Sequence, residues 1–277
     1  MAIAELEVRL LLEAIFDRYH YDFRSYAMAS LKRRLAQACD SLHVTTVSGL
    51  QERVLHEPES FSQLLQYLTV QVSDMFRDPE FFLALRRQVL PVLATYPSIK
   101  VWCAGCSTGE EAYSLAILLQ EEGLLDRSII YATDINAQAL RIASSGVFTL
   151  ERLRGFTENH QRSGGKTSLS NYYYSSGVGA SGDSAIMDAA LRRKITFSDH
   201  SLATDNVFSE VHLITCRNVL IYFDHVLQTR ALRLFADSLV RAGFLGLGSK
   251  ESLRFTEAAE LFTDFALAER IYRRNAA

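Results

Sequence analysis

Residues 101–111 form a glycine-bracketed motif whose residue types suit a small-molecule site. The stretch Val-Trp-Cys-Ala-Gly-Cys-Ser-Thr-Gly-Glu-Glu begins apolar, continues through small residues and ends on two carboxylates. This order predicts a strand, a tight turn and a helix, in which Gly105 and Gly109 permit positive φ and close backbone approach. Because a helix N-terminus has unsatisfied N–H groups and partial positive charge, we expect it to attract the polar end of a ligand.

Asp134 and the pair Glu110–Glu111 restrict the kind of ligand. Asp134 ends the next apolar segment, Ser128–Thr133, at a position where a carboxylate can accept ribose hydroxyls. A phosphate-binding loop needs a lysine after its last glycine, whereas Gly109 is followed by two carboxylates that would repel a triphosphate. A full G-x-G-x-x-G is also absent. The motif therefore favours a nucleoside cofactor with a cationic head, such as S-adenosylmethionine, with one glutamate reaching the ligand and the other complementing the helix dipole.

The same turn also matches G-x-S-x-G, the nucleophile elbow of hydrolases. Ser107 would then be the nucleophile, with Asp199 and His200, or His212, as its partners. A hydrolase elbow follows a central strand, whereas a helical region precedes the first strand here. We therefore regard hydrolysis as a minor alternative.

Cys103 and Cys106 form a C-x-x-C sequence within this turn. No second pair of cysteines or histidines has the spacing to complete a metal site, so no metal is expected. Two small residues in a crowded turn are favoured over a redox pair.

The elements that must position these residues divide the chain into a helical part and an α/β part. Residues 1–82 repeat apolar residues at helical spacing and predict an N-terminal all-helical domain. Residues 83–97 predict a connecting helix. Residues 98–277 alternate strands and helices, which predicts a Rossmann-like α/β fold with a parallel sheet. Residues 147–194, with Tyr172–Tyr174 and much glycine and serine, predict a small inserted β-subdomain.

Overall composition narrows the functional classes. The 277 residues are 48% hydrophobic and carry a net charge of −3, which argues against a general nucleic-acid binder. No apolar run reaches membrane-spanning length, so no membrane insertion is expected. The N-terminus lacks the pattern of a signal peptide, and a cytoplasmic location is expected.

Four blocks of sequence resemble the CheR-type chemotaxis receptor methyltransferases, in order along nearly the whole chain. The blocks are Phe76–Phe82 (FRDPEFF), Ser107–Ser114 (STGEEAYS), Ala132–Ile135 (ATDI) and Cys216–Asp224 (CRNVLIYFD). The resemblance implies a class I methyltransferase sheet. It also implies methyl transfer from S-adenosylmethionine to glutamate side chains on the cytoplasmic helices of chemoreceptors, which gives a methyl ester and S-adenosylhomocysteine.

The resemblance also implies which residues contact the cofactor. They are Gln71, Ser73, Arg77, Glu111, Asp134, Ser201, Leu202, Arg217 and Asn218. The family has Asn, Thr and Asn at the places of Gln71, Ser73 and Ser201. These departures leave two alternatives open: a methyltransferase of this architecture for another protein or a small acid, and a non-catalytic, cofactor-gated signalling module.

Two residues are candidates for catalysis. We expect Arg77 to orient the substrate carboxylate, because its planar fork of donors matches a carboxylate; a salt bridge with Asp78 or Glu80 is the alternative. Tyr222 follows a predicted strand end, where α/β sheets bind ligands. Its hydroxyl would donate to the accepting carboxylate, unless the ring serves only in packing.

Two regions are candidates for partner binding. Lys32, Arg33 and Arg34 form a basic run on a predicted helix and would dock an acidic receptor helix bundle, or simply face solvent. In some members of the family, an edge strand of the inserted subdomain pairs with a C-terminal receptor peptide. Residues 172–184 would supply such an edge, or form an ordinary loop excursion.

Overall fold

The structure, a computed structural model, describes residues 3–69, 71, 73–179, 182–254 and 256–275. Its N-terminal part consists of the helices α1 (Ile3–Tyr19), α2 (Met28–Ser41), α3 (Val47–His56) and α4 (Pro58–Leu68). These helices enclose one core, which includes the buried Leu11, Leu31, Leu50 and Leu64. The prediction of an all-helical N-terminal region is confirmed.

A continuous helical segment joins this region to the sheet. It consists of α5 (Pro79–Ala84), a π-helical turn (Leu85–Val89) and α6 (Leu90–Leu93). The segment starts at Pro79, since proline is favoured in the first turn of a helix. The predicted boundary at residue 82 therefore falls inside a helix, and the domain boundaries stay predictions.

The α/β part contains ten strands and six further helices. The strands are β1 (Ile99–Ala104), β2 (Ser128–Asp134), β3 (Val147–Thr149), β4 (Tyr173–Gly179), β5 (Gly182–Met187), β6 (Ile195–Asp199), β7 (Val211–Cys216), β8 (Leu239–Leu247), β9 (Phe262–Ala266) and β10 (Ile271–Arg274). The helices are α7 (Glu110–Glu121), α8 (Ala137–Ser145), α9 (Leu150–Gly155), α10 (Thr157–Arg162), α11 (Ala189–Arg192) and α12 (His225–Ser238).

Seven strands form the main sheet in the order β6-β2-β1-β7-β8-β10-β9. The first five are parallel to one another, and β10 runs antiparallel to both of its neighbours. β1 is central, and Val101 and Trp102 within it are fully buried, as expected for a parallel strand covered on both faces. The carboxyl ends of β1, β2, β6 and β7 therefore meet at one edge, and the α/β fold is confirmed.

The remaining three strands form a separate antiparallel sheet in the order β3-β5-β4. Short strands within residues 147–194 were predicted, but this segment also contains α9, α10 and α11 and is less loop-rich than expected. Part of the glycine-rich stretch, Ala180 and Ser181, lies outside the described residues. Within the described part of the chain, none of the helices combines the length and the apolar character needed to cross a membrane.

Candidate functional site

A cavity of about 470 Å³ lies at the carboxyl edge of the main sheet, between the sheet and the helical region. The size suits a small-molecule ligand. Its lining includes all nine residues that the resemblance implies for the cofactor, together with Tyr222 and Arg34; the nine are Gln71, Ser73, Arg77, Glu111, Asp134, Ser201, Leu202, Arg217 and Asn218. The structure therefore brings the predicted site residues to one place.

Asp134 organises the turn that follows β1. One of its carboxylate oxygens accepts the backbone N–H of Ser107 at 2.8 Å, and the other accepts that of Asn136 at 2.9 Å. Burial raises the pKa of Asp134, while these backbone N–H groups act in the opposite direction. Each carboxylate oxygen can accept more than one hydrogen bond, so Asp134 keeps acceptor capacity for a ligand.

The two glycines of the turn have the positive φ predicted for them, 74° at Gly105 and 95° at Gly109. A Cβ atom at Gly105 would lie 2.4 Å from a methyl carbon of Val219, which belongs to the turn after β7. A Cβ at Gly109 would lie 2.9 Å from that of Ala143 on α8. Both glycines therefore allow neighbouring elements to pack against the turn.

Glu110 and Glu111 have different environments. Glu110 is fully buried, accepts a hydrogen bond from Thr108 and forms an ion pair with Arg152 at 2.9 Å. Glu111 lines the cavity and pairs with Arg217 at 3.1 Å. Glu111 is therefore the glutamate that faces the cavity, and Glu110 supports the turn.

Arg217 holds together two segments that are distant in sequence. Its side chain is only 1% exposed and donates to the Asp78 carboxylate at 2.7 Å and to the Arg77 carbonyl at 2.9 Å. Its guanidinium lies 4.3 Å from the ring centroid of Phe81. Arg217 therefore fixes the position of Arg77 in addition to lining the cavity.

Arg77 has an unengaged guanidinium in a half-buried position on the cavity wall. Among the described residues, no hydrogen bond or ion pair engages this side chain. Both carboxylates proposed as its partners are paired elsewhere, Asp78 with Arg217 and Glu80 with Arg162. The salt-bridge interpretation is therefore wrong, and the donors of Arg77 are available to a ligand.

The other cofactor candidates form the remaining cavity wall. Gln71 accepts a hydrogen bond from the Ser107 hydroxyl at 3.2 Å, which joins the segment after α4 to the glycine turn. The Ser201 hydroxyl accepts the N–H of Ala203 at 3.3 Å. Leu202 is buried and supplies an apolar surface.

The hydrolase interpretation fails on geometry. The Ser107 hydroxyl donates to Gln71, and it makes no hydrogen bond to a histidine within the part of the chain that the structure describes. His200 and His212 interact with backbone groups elsewhere. Ser107 therefore lacks the base that would activate it as a nucleophile.

All four cysteines are buried and free of disulfides. Burial raises the pKa of the Cys103 and Cys106 thiols well above the usual value, which disfavours the reactive thiolate form. Among the described residues, no three or more His, Cys, Asp or Glu side chains lie in a group that could hold a metal ion.

The basic run on α2 divides between two environments. Lys32 is exposed and pairs with Glu5 at 2.7 Å, and Arg33 is exposed. Arg34 is only 4% exposed, because it lies on the same helical face as Leu31. Its assignment to an exposed basic docking face is therefore wrong.

Arg34 instead faces the cavity and the ring of Tyr222. Its guanidinium lies 4.2 Å from the centroid of that ring, and one nitrogen donates to the Leu68 carbonyl. The other terminal nitrogen is buried and makes no hydrogen bond within the described part of the chain. The helical region thus contributes a second arginine with an unused donor to the cavity.

The turn that carries Tyr222 is tied to the helical region. The N–H of Ala27 donates to the Tyr222 carbonyl, and the N–H of Asp224 donates to the Ser25 carbonyl, both at 2.8 Å. Tyr26 and Phe223 form an antiparallel bridge between the same segments. The predicted catalytic tyrosine therefore lies where the two parts of the molecule meet.

Sequence reasoning missed Glu251, which holds the turn after β7. Its carboxylate, only 4% exposed, accepts the backbone N–H groups of Asn218 and Val219 at 2.9 Å, Ile221 at 3.3 Å and Gly248 at 2.6 Å. Burial raises the pKa of Glu251 against these hydrogen bonds. An acidic residue just beyond the carboxyl end of β8 was the available indication of a role at this edge.

A mostly parallel sheet with a glycine turn after β1, an acidic residue at the end of β2 and a cavity at the carboxyl edge defines a Rossmann-like fold with a small-molecule site. Residues 71–267 match the CheR methyltransferase, SAM binding domain, and residues 6–69 match the CheR methyltransferase, all-alpha domain. The chain therefore belongs to the CheR methyltransferase family and has a domain for S-adenosylmethionine.

Two named relatives agree with this assignment. A protein of Pseudomonas putida named "Putative methyltransferase Cher3" is 55% identical, covering 98% of this chain and 97% of its own. A "Chemotaxis protein methyltransferase" of Listeria innocua is 30% identical, covering 84% of each chain. Among solved structures, the N-methyltransferase NodS of Bradyrhizobium japonicum aligns with a TM-score of 0.38 and 14% identity, covering 74% of this chain and 90% of its own.

Proposed function

We propose that this protein methylates glutamate carboxylates of chemoreceptors, using S-adenosylmethionine, in the cytoplasm. The products are a glutamate methyl ester and S-adenosylhomocysteine. The observation that carries the proposal is the Arg77 guanidinium, which lies on the cavity wall with its donors unused while Asp78 and Glu80 are paired elsewhere.

The charged and apolar residues that line the cavity fit this cofactor. Glu111 and Asp134 place two carboxylates where a cationic, phosphate-free nucleoside would bind, and the apolar Leu202 and Ile135 lie on the same wall. Asp134 would accept the ribose hydroxyls, and Glu111 the ammonium group. When bound, the cofactor supplies an electrophilic methyl group on a cationic sulfur.

The substrate needs no general base. A glutamate with a pKa of about 4.3 is already ionised at neutral pH, so the residues of the site must align it and keep it dry. Arg77 would bind the carboxylate through its fork of donors, and the Tyr222 hydroxyl would donate a further hydrogen bond. Such positioning can lower a barrier by several kcal/mol, at most about 7–11.

Closure of the site by the helical region supports the same chemistry. The segment Ser25–Ala27 pairs with the Tyr222 turn and covers one side of the cavity. Attack of an anion on a cationic methyl donor neutralises charge, so exclusion of water favours the transition state over the separated ions. Arg34 stacks on the Tyr222 ring and would keep its hydroxyl oriented toward the cavity.

Two surfaces would bind the receptor. Lys32 and Arg33 are exposed on α2, next to the buried Arg34 that reaches the cavity, and would attract an acidic helix bundle. β4 lies at the edge of the small sheet, where a C-terminal receptor peptide would add a further strand.

Methyl-labelled S-adenosylmethionine, incubated with the protein and a receptor cytoplasmic fragment, tests the proposal. We expect label in the fragment that is released by mild base, which is the property of a carboxyl methyl ester. Base-stable label would indicate another acceptor group. Label transferred only to a small acid or to a different protein would show that the receptor is not the substrate. Cofactor binding without methyl transfer would indicate a signalling module.

A further inference from the structure

The inserted segment contacts the stretch 73–80, which carries two of the proposed ligand-binding residues. Nη2 of Arg152, on α9, donates to the carbonyl of Ser73 at 2.6 Å. The side-chain amide of Asn159, on α10, donates to the carbonyl of Met75 at 3.4 Å. These bonds cross from the insertion to the wall of the cavity.

Two further contacts extend this connection along the same stretch. The ring of His160 lies 4.9 Å from that of Phe76, which is fully buried. Arg162 pairs with Glu80 at 2.5 Å. We refer to the four contributing side chains as the brace: Arg152, Asn159, His160 and Arg162.

Within the brace, Arg152 has a second partner. The same Nη2 atom lies 2.9 Å from the carboxylate of Glu110, which is fully buried at the start of α7. A buried carboxylate is strongly unfavourable without a cation or a set of hydrogen bonds. One guanidinium thus connects the glycine turn to the segment that leads from Ser73 to Arg77.

We infer that Arg152 is a positioning residue of the methyltransferase site, acting from the inserted segment on Ser73 and Arg77. The inference rests on the proposed binding role of these two residues. The stretch 73–78 has no regular secondary structure before α5 begins at Pro79, so side-chain contacts must hold it. Arg77 bears an unpaired charge and can bind a ligand tightly only if its backbone is fixed beforehand.

Replacement of Arg152 by alanine, compared with Arg154→Ala, tests the inference. Arg154 lies on the same short helix and is exposed, and its side chain has no hydrogen-bond or ion-pair partner among the described residues, which makes it a matched control. Hydrogen exchange of the amides of 73–78 should be faster in Arg152→Ala; the Phe76 amide, which donates to Ser114 at 2.9 Å, is the most informative. Calorimetry should show about tenfold weaker binding of S-adenosylhomocysteine, which is the lower end of the range expected for loss of one charge-assisted hydrogen bond.

A double variant separates positioning from stability. Arg152→Ala removes the cation that faces the buried Glu110 carboxylate and leaves it with the Thr108 hydroxyl, which should lower the melting temperature. Glu110→Gln together with Arg152→Ala removes the buried charge as well and should restore the melting temperature. The Ser73 carbonyl still lacks its donor in the double variant, so exchange at 73–78 should stay fast and binding should stay weak. The inference would be overturned if the double variant recovered slow exchange at 73–78 and wild-type binding along with the melting temperature. Wild-type exchange and affinity in Arg152→Ala would also overturn it.

The two readouts also separate this inference from the proposed function. Hydrogen exchange is measured without any ligand or receptor. If the wild-type protein bound S-adenosylhomocysteine but did not methylate a receptor, the proposed substrate would be wrong. Exchange and affinity in Arg152→Ala would still decide whether Arg152 positions residues 73–78. If exchange at 73–78 were unchanged in Arg152→Ala while methylation proceeded, the brace would fail alone.

Discussion

The two walls of the cavity differ in how their charged groups are used. On the sheet side, Asp134 and Glu251 accept backbone N–H groups, and Arg217 bonds to Asp78 and Glu111. On the helical side, the Arg77 guanidinium and one terminal nitrogen of Arg34 have no partner among the described residues. On the sheet side, the comparable unpartnered donor is Nε of Arg217, whose two terminal nitrogens are both engaged. The charged side chains of the sheet wall mainly hold the turns of the site in place, whereas those of the helical wall keep hydrogen-bond donors available to a ligand.

This difference follows from what each wall must do. The turns after β1 and β7 contain residues at positive φ, 50° at Ser107 and 62° at Asn218, and such turns need fixed partners for their N–H groups. Arg34 and Arg77 lie on or before helices that are already stable through apolar packing. Their polar ends are therefore free for recognition, and substitutions on the two walls should affect different quantities.

The largest effect is expected at Arg77, on the open wall. Arg77→Ala should lower kcat/KM for receptor methylation about 100-fold, or about 2.7 kcal/mol, because a donor group aligned with the reacting carboxylate is lost. The free energy of unfolding should change little, since the guanidinium has no partner in the described protein. Initial rates with a receptor fragment and chemical denaturation measure the two quantities.

Arg87→Ala is the matched control for this change, because Arg87 is an exposed arginine on the neighbouring helical segment. It should retain wild-type rates. A large loss of stability in Arg77→Ala would mean that the guanidinium has a structural partner, and would remove the contrast between the walls.

A substitution on the sheet wall should give the opposite pattern. Glu251→Gln replaces one acceptor oxygen with a donor that faces backbone N–H groups, so we expect about 2 kcal/mol lower free energy of unfolding. The exposed Glu257, whose side chain is 72% accessible, is the control, and Glu257→Gln should be neutral. Unchanged stability in Glu251→Gln would show that the hydrogen bonds to this carboxylate do not hold the turn.

Local sequence patterns predicted the sheet wall well and the helical wall poorly. The glycine turn, Glu111 and Asp134 could be placed from sequence because each lies at the end of a short apolar segment, and parallel strands bring such ends together. Glu251 was missed because three of its four partners, Asn218, Val219 and Ile221, lie 30 to 33 residues earlier in the chain. An acidic residue after a strand indicates a place at this edge of the sheet, but it does not indicate those partners.

Arg34 shows a different limit. A run of three basic residues suggests one charged face, but successive residues on a helix point about 100° apart. Arg34 shares the face of Leu31, which is buried, whereas Arg33 does not. Similarly, the local sequence allowed a pairing of Arg77 with Asp78 or Glu80 as the alternative to a ligand-binding role, yet Asp78 is bound by Arg217 from 139 residues away.

Tyr222 lies where the two walls meet, and its substitution should have a smaller effect on methyl transfer than that of Arg77. Tyr222→Phe removes only the hydroxyl and keeps the ring on which Arg34 stacks. We expect kcat to fall about tenfold, or about 1.4 kcal/mol, with the affinity for S-adenosylhomocysteine unchanged. Tyr96→Phe, at a half-buried tyrosine before β1 and outside the cavity, should leave kcat as it is. Wild-type kcat in Tyr222→Phe would leave Tyr222 with a packing role only.

The smallest effect is expected at Arg33, outside the cavity. Arg33→Glu reverses an exposed charge on α2 and should raise KM for an acidic receptor fragment two- to fivefold, which corresponds to about 0.4–1 kcal/mol. Because exposed charges are screened, the difference from wild type should shrink as salt is raised. The same reversal at Arg87, away from α2, should leave KM unchanged. An equal loss of receptor methylation and cofactor binding in Arg33→Glu would indicate misfolding. A KM that is unchanged at low salt would mean that the receptor reaches the cavity, where Arg34 and Arg77 lie, without docking on α2.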